Sequence, residues 1–250
     1  MFKNLLASVR IGAATVDTRL DGEAFRPGDT FTAQVVVQGG EVDQKIEGLE
    51  LGLVVEDQAD HEELNYTTVI ETWEIADAFV IEAGEEKIIP FEGKLHPETP
   101  VTETEGVENR TDVWIQTGLA IDNAVDAGDR DAMKVCLTEA MEAVLEAVRR
   151  AGYHLYNVKL DAETMKVGGE KSELALDQEY VFKPDEGTEG PFIEIEVHFL
   201  RRPEGYTDVL LEFEFEDHSE RFRTMRVEHE GLEAEKVAAS FREELQSAAG

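Results

Sequence analysis

The sequence predicts a mainly β protein: an antiparallel β-sandwich in the first half, then a second domain of β-strands with two helices (α+β). Three observations predict this. Before residue 122, short segments alternate apolar and polar residues, with turn signals roughly every ten residues. Near residue 131 the apolar spacing changes to that of a helix, and a second helical stripe closes the chain. We therefore expect two domains, 1–127 and 128–250.

The strands of the first half are marked by period-two alternation and by β-branched residues. A Pro-Gly turn at 26–29 leads into the clearest of them, in which alternate residues share one apolar face: Phe31, Ala33, Val35 and Val37. Further strands are predicted at 45–56, 67–79, 85–95 and 113–121. Because Pro90 has no N–H, we expect 85–95 to be an edge strand or to contain a bulge. The Pro- and Glu-rich segment 96–110 is predicted to be a long mobile loop.

In the second half, a helix at about 131–150 is predicted to begin at Asp129 or Asp131 as its N-cap and to end at Gly152. Its apolar stripe consists of Met133, Leu137, Ala140, Met141, Val144 and Val148. Strands are predicted at 153–161, 174–183, 192–200, 208–216 and 221–228. A closing helix at about 234–248 turns four apolar residues inward: Val237, Ala238, Phe241 and Leu245.

The charge balance is strongly acidic. The 250 residues include 56 Asp or Glu against 23 Lys or Arg, a formal net charge of -33 that is spread over both halves. Binding to nucleic acid or to an anionic membrane needs clustered basic residues, so this composition argues against both. A surface adapted to high salt is one hypothesis for the acidity, and a DNA mimic is a minor alternative.

Targeting and redox signals are sparse. No apolar run approaches the roughly 18 residues that a membrane span requires, and residues 1–10 are too short for a secretory signal. A single cysteine excludes a disulfide framework or a cysteine-based metal site within one chain. We expect a cytoplasmic protein with no integral membrane segment.

No catalytic motif is present, so we assign no catalytic, cofactor-binding or metal-binding residue and expect no cofactor. The six histidines show no paired ligand spacing; His198 reads as a structural histidine, and a metal site between His218 and His229 across a hairpin is a minor alternative. Cys136, placed on the predicted helix, is expected to be a buried small apolar residue and not a nucleophile.

Rows of glutamates suggest two other functions, glycoside hydrolysis and calcium binding. Glu212, Glu214 and Glu216 share one strand face, as do Glu194 and Glu196. A further group lies in the predicted loop: Glu103, Glu105 and Glu108. Calcium needs oxygens that converge from several directions, whereas a row of glutamates on one strand diverges, so we interpret these faces as solvated surface.

An ordered set of segments resembles the bacterial and archaeal sporulation-control protein M family, named for a stage-zero sporulation regulator. The segments are Ile11–Leu20, Pro27–Asp29, Gly39–Ile46, Ile89–Phe91 and Val113–Asp122, with the helical stretch Ala143–Tyr153 similar to the family's second half. The resemblance covers residues 1–155 well and the remainder loosely. It implies an arrestin-like β-sandwich as the first domain and a cytoplasmic, regulatory role through protein partners, some of them cytoskeletal, with no catalytic residues.

The leading hypothesis is therefore a non-enzymatic regulatory adaptor that acts through protein–protein interactions in sporulation, stress or cell-shape control. The alternatives are a cation-binding structural module and, with less support, a paired-carboxylate hydrolase. A calcium-dependent shift in melting temperature distinguishes the first alternative, and two carboxylates within about 5–10 Å in one cleft, one of them with a raised pKa, distinguish the second. A homodimer is compatible with the adaptor hypothesis.

Overall fold

A computed structural model describes residues 13–57, 66–121 and 127–250. The described residues of the first half form eight strands: β1 (Thr15–Asp21), β2 (Thr30–Gln38), β3 (Gln44–Asp57), β4 (Tyr66–Ala76), β5 (Phe79–Ile81), β6 (Glu86–Lys94), β7 (Thr111–Ile121) and β8 (Ala127–Ala132). The second half forms α1 (Glu139–Arg150), β9 (Tyr153–Asp161), β10 (Lys166–Val167), β11 (Glu170–Lys171), β12 (Asp177–Pro184), β13 (Phe192–Arg202), β14 (Tyr206–Phe215), β15 (Glu220–Glu228) and α2 (Ala234–Ala249). The fold is thus mainly β with two helices, as the sequence predicts.

The first unit is an antiparallel sandwich. One sheet has the strand order β1-β2-β6; the other has the order β4-β3-β7-β8, with β5 paired to β3. Alternate residues of β2 and β3 point between the sheets and are fully buried, for example Val35 and Leu51. The Phe31 ring makes edge-to-face contacts with Trp73 and Phe91, with ring centroids 5.8 Å apart in both pairs. β6 pairs with β2 alone among the described strands, so the edge position predicted from Pro90 is confirmed.

The second unit is one antiparallel sheet, in the order β15-β14-β13-β12-β9. Both helices pack on its inner face, where Val144, Val148 and Phe241 meet the buried rings of Tyr180 and Phe213. The β10–β11 hairpin packs against part of the outer face, since Met165 and Val167 of this region form a small core with Leu200. The outer face is therefore partly shielded at one end.

The loop between β6 and β7 joins the two units. Val101 is fully buried in the core of the second unit, and its N–H donates to Gln178 Oε1 at 2.9 Å. The Glu98 carboxylate accepts from the backbone N–H groups of Glu173 and Leu174. Such anchoring gives this segment a packed conformation, so the prediction of a mobile loop over 96–110 is wrong for its first residues.

Close packing between the units also occurs at the Pro-Gly turn. Gly28 has φ +80°, and a Cβ placed on it would lie 1.8 Å from Nη1 of Arg201 in β13. Glycine is favoured here by the left-handed backbone conformation, and a larger residue would also have to displace the end of the Arg201 side chain.

The start of the first helix is the main error of the sequence prediction. The helix runs from Glu139 to Arg150 and not from 131, and its N-cap is Thr138, whose side chain accepts from the Met141 N–H. Residues 127–132 instead form β8, paired with β7. Met133, predicted to lie on the helix, belongs to the sandwich core. The predicted helix was too long because helix-like spacing of apolar residues continues across a segment that bridges the two units. The remaining strands, and the closing helix, are confirmed with shifts of a few residues at their ends.

Across the described residues, no helix combines the length and apolar character that crossing a membrane requires.

Candidate functional site

The outer face of the second sheet gathers acidic side chains from neighbouring strands. Strand pairing puts Glu179 opposite His198, and Glu196 opposite Glu212. Alternation then places Glu194 and Glu214 in the next row of the same face, where they also form a cross-strand pair. We call the five central residues, Asp177, Glu179, Glu196, His198 and Glu212, the His198 cluster.

His198 is the centre of this cluster. The residue is 3% exposed, and its Nδ1 lies 3.1 Å from both carboxylate oxygens of Asp177, which is itself 5% exposed. Its Nε2 is buried and has no hydrogen-bond partner within the described part of the chain. Because Asp177 has no proton to donate when ionised, the geometry assigns the proton to Nδ1 as donor, which leaves Nε2 as the ring nitrogen with an unshared electron pair.

The glutamates around His198 are largely withdrawn from water. The Glu179 side chain is 13% exposed and the Glu196 side chain 17% exposed. Lys159 of β9 is their described cationic neighbour, with Nζ 3.6 Å from Glu179 and 3.2 Å from Glu196. The cluster therefore has one described neighbouring positive charge, Lys159, for the carboxylates of three glutamates and one aspartate.

Burial and mutual repulsion perturb these groups. Burial, and next the charge of Glu196, raise the pKa of Glu179 from 4.5 to about 7 and that of Glu212 from 4.5 to about 7. The same two causes raise the pKa of Glu194. For His198, burial lowers the pKa, but the hydrogen bond and charge of Asp177 together with the charges of Glu179 and Glu196 outweigh it, so the net direction is upward.

This arrangement suits a bound cation better than hydrolysis. Oxygen and nitrogen atoms from Glu196, His198 and Glu212 all lie within 4.8 Å of one another, as do those of Asp177, Glu179 and His198. A glycosidase keeps its two carboxyl groups about 5 Å or more apart on either side of the scissile bond. Here the carboxylates are neighbouring side chains of one sheet face, and Glu179 and Glu196 are less exposed to water than the predicted solvated row implies.

The other candidate residues lie elsewhere. His218 and His229 stand at opposite ends of β15, whose nine residues span about 30 Å, so the two histidines do not approach each other. Glu103 and Glu105 line a separate groove of about 680 Å³ beside α1. Glu103 forms an ion pair there with Lys134.

Cys136 lines that same groove. It lies before α1 and is half-buried, and its N–H donates to the Phe25 carbonyl at 2.8 Å. Its predicted position on the helix, and its predicted full burial, are therefore wrong.

A signal for the cluster was present in the sequence. Glu194, Glu196 and His198 follow one another at every second position, which puts them on one strand face. The partners from β12 and β14 depend on strand register, which no local pattern gives.

Comparison with known proteins gives one consistent result. The family model described as "Spo0M: SpoOM protein" matches residues 2–216. The sporulation-control protein spo0M of Bacillus subtilis (strain 168) is 33% identical over 210 residues, which are 82% of this chain and 77% of that protein. The crystal structure of the sporulation-control protein Spo0M from Bacillus subtilis superposes with a TM-score of 0.80 at 27% identity, covering 96% of this chain and 100% of the other.

Proposed function

We propose that this chain, which belongs to the Spo0M sporulation-control family, is a cytoplasmic, non-enzymatic regulatory adaptor that binds protein partners through an edge strand of its sandwich. The observation that carries the proposal is the open edge of β6 in a member of a regulatory family. β6 pairs with β2 over nine residue pairs without a register shift, and no other strand pairs with it among the described residues.

The direction of the β6 backbone groups follows from two contacts. Gly39 N–H donates to the Glu85 carbonyl, and Leu95 N–H donates to the Asp29 carbonyl, so the odd-numbered residues face β2. Pro90, which has no N–H, is even-numbered, so its backbone nitrogen faces away from β2, as expected for an edge strand. The N–H and C=O groups of Ile88 and Glu92 therefore point away from the sheet and are available to a partner strand.

The surroundings of β6 indicate what kind of segment fits. The Ile88 side chain is 51% exposed and offers an apolar contact beside the open backbone groups. Glu86 and Glu92 are exposed on the same strand, and the chain as a whole carries a net charge of -33. An extended peptide with basic residues next to an apolar one would add a strand here, with main-chain hydrogen bonds giving affinity and charge increasing the association rate.

Three other edge strands, β1, β4 and β15, are less suited to this role. β1 is approached by β8, since the Thr18 N–H donates to Asp129 Oδ2 at 2.8 Å. β4 has two register shifts against β3, and bulges of this kind disrupt further pairing. In β15, Arg221 and Arg223 are occupied by carbonyl groups at the end of α2.

The experiment is quantitative co-purification of the tagged full chain from its own cells at moderate and at high salt. Ile88→Pro removes an outward N–H and leaves the β2 ladder intact, whereas Ile88→Thr keeps that N–H and is the matched control. We expect partners that are retained by the wild type and the Thr variant, lost with the Pro variant and weakened by salt. Equal recovery with both variants, at equal melting temperature, would contradict the edge-strand mechanism.

We also retain the division into two domains as a proposal. Two separate cores support it, one between the sandwich sheets and one between the second sheet and the helices. Because β8 belongs to the first sheet, the boundary that the pairing supports lies after Ala132 and not after residue 127.

A further inference from the structure

We propose that the His198 cluster is a binding site for one divalent transition-metal ion of the zinc type, held by Nε2 of His198 and the carboxylates of Glu196 and Glu212. Asp177 would orient the histidine from behind. The site is independent of the adaptor proposal, since it lies in the second unit and its test does not require a partner.

The unpartnered nitrogen is the observation that points to a ligand. His198 is only 3% exposed, and its Nδ1 is hydrogen-bonded to Asp177. Its Nε2 nevertheless has no partner among the described residues. A buried nitrogen without a partner is costly in a folded protein. A metal-bound histidine typically gives its other N–H to a carboxylate, which is the geometry of the Asp177–His198 pair.

The carboxylates supply the remaining ligands. Ligand atoms of Glu196, His198 and Glu212 lie within 4.8 Å of one another. Tetrahedral zinc, with bonds of about 2.0–2.2 Å, places its ligands roughly 3.4 Å apart, so small rotations of two glutamates would complete the site. Three protein ligands leave a fourth position for water.

The donor set also selects the metal. Calcium and magnesium prefer oxygen-only sites with six or more ligands, whereas an imidazole nitrogen beside carboxylates suits zinc or manganese. Lys159, whose Nζ lies 3.2 Å from Glu196, is 44% exposed and can swing into water when the metal enters. The negative charges of Glu196 and Glu212 would then be neutralised by the ion.

The test is titration of the chelator-stripped, full-length protein with Zn²⁺ against a chromophoric competitor, in millimolar Mg²⁺ to occupy the exposed acidic surface. We expect one tightly bound Zn²⁺ per chain. His198→Gln and Glu212→Gln should weaken that binding by at least 100-fold, and Asp177→Asn by 10- to 100-fold. Glu214→Gln removes the same charge from the next row of the same strand face and should leave the affinity within about twofold.

A second readout covers the case in which the buried His198 variant fails to fold. Co²⁺ replacing Zn²⁺ should give visible absorption bands typical of four-coordinate nitrogen and oxygen ligands, and Glu196→Gln, a partly exposed position, should abolish them. Absence of stoichiometric Zn²⁺ binding by the folded wild-type protein would overturn the proposal. So would equal Zn²⁺ affinities of Glu212→Gln and Glu214→Gln, because binding would then come from the acidic surface in general.

Discussion

The two units use the same alternating pattern of apolar and acidic residues to different ends. In the sandwich, each sheet buries one face against the other, and outward acids such as Glu86 and Glu92 on β6 are exposed. In the second unit, helices cover one face of a single sheet, and the acids that β12, β13 and β14 place on the other face are half-buried or more. Alternation alone therefore determines which face of a sheet is polar, whereas strand register and covering segments determine whether that face is solvated.

The covering segment has an identifiable position. The β10–β11 region packs Met165 and Val167 onto Leu200, two residues along β13 from His198. This shields one end of the outer face, and neighbouring acids from β12, β13 and β14 then share a region with little water. Repulsion and burial together account for the raised pKa values of Glu179 and Glu212.

The largest expected effect tests whether the two units are independently stable. Phe241→Ala in the second core and Phe31→Ala in the sandwich core each remove a buried ring and should lower the free energy of unfolding by about 3–5 kcal/mol. Because Val101 and Gln178 tie the units together, we expect one transition for both. Tryptophan fluorescence reports the sandwich, which holds Trp73 and Trp114, and circular dichroism at 222 nm reports the helices.

The two signals should coincide in each variant, and Phe222→Ala, at a 51% exposed ring, should have little effect. A fluorescence transition that is unaffected by Phe241→Ala would show that the sandwich unfolds on its own.

The next effect concerns the contact between the units. Gly28→Ala should cost about 1–2 kcal/mol from the left-handed backbone alone, and more because the new methyl displaces the Arg201 guanidinium. Gly84→Ala is the matched control, since Gly84 has φ +71° and no atom within 4 Å of the added Cβ. Denaturant midpoints should fall further for Gly28→Ala; equal losses would mean that the Arg201 contact contributes nothing.

A smaller effect on stability is expected from the N-caps of the two helices, which differ in their hydrogen bonding. Thr138→Ala removes the side-chain acceptor for the Met141 N–H and should cost about 1 kcal/mol. Glu233, the N-cap of α2, makes no side-chain capping hydrogen bond, so Glu233→Ala should change stability by a few tenths of a kcal/mol at most. Thermal unfolding of the two variants under identical conditions checks this, and equal losses would contradict the assigned caps.

The last prediction concerns pH in the sandwich. Burial, together with Asp129 and Asp17, raises the pKa of Asp131 from 3.8 to about 7. The folded state then holds more protons than the unfolded state between these values, so the contribution of Asp131 is fully present below about pH 4 and is lost as the pH rises to about 7. Asp131→Asn should flatten the fall in melting temperature between pH 5 and pH 8, with Asp21→Asn as an exposed control. An unchanged slope would contradict the shifted pKa.

Much of the fold follows from local pattern, and the exceptions share a cause. Period-two alternation located β2, β13 and β14, and Pro90 identified an edge. The predicted start of α1 is wrong because Met133 and Leu137 keep helical spacing with Ala140, although Met133 packs in the sandwich core. The sequence predicts a structural histidine at His198 and gives no sign of its neighbours from β12 and β14, because long-range strand pairing brings those residues to it.

The edge-strand mechanism is tested most directly by hydrogen exchange of the chain alone and in complex with the partner it retains most strongly. Within 86–94, the amides of Ile88 and Glu92 should exchange rapidly in the free protein and slowly in the complex, while those of Ile89 and Phe91 are protected in both. Protection that appears on β15, or nowhere on β6, would contradict binding at this edge.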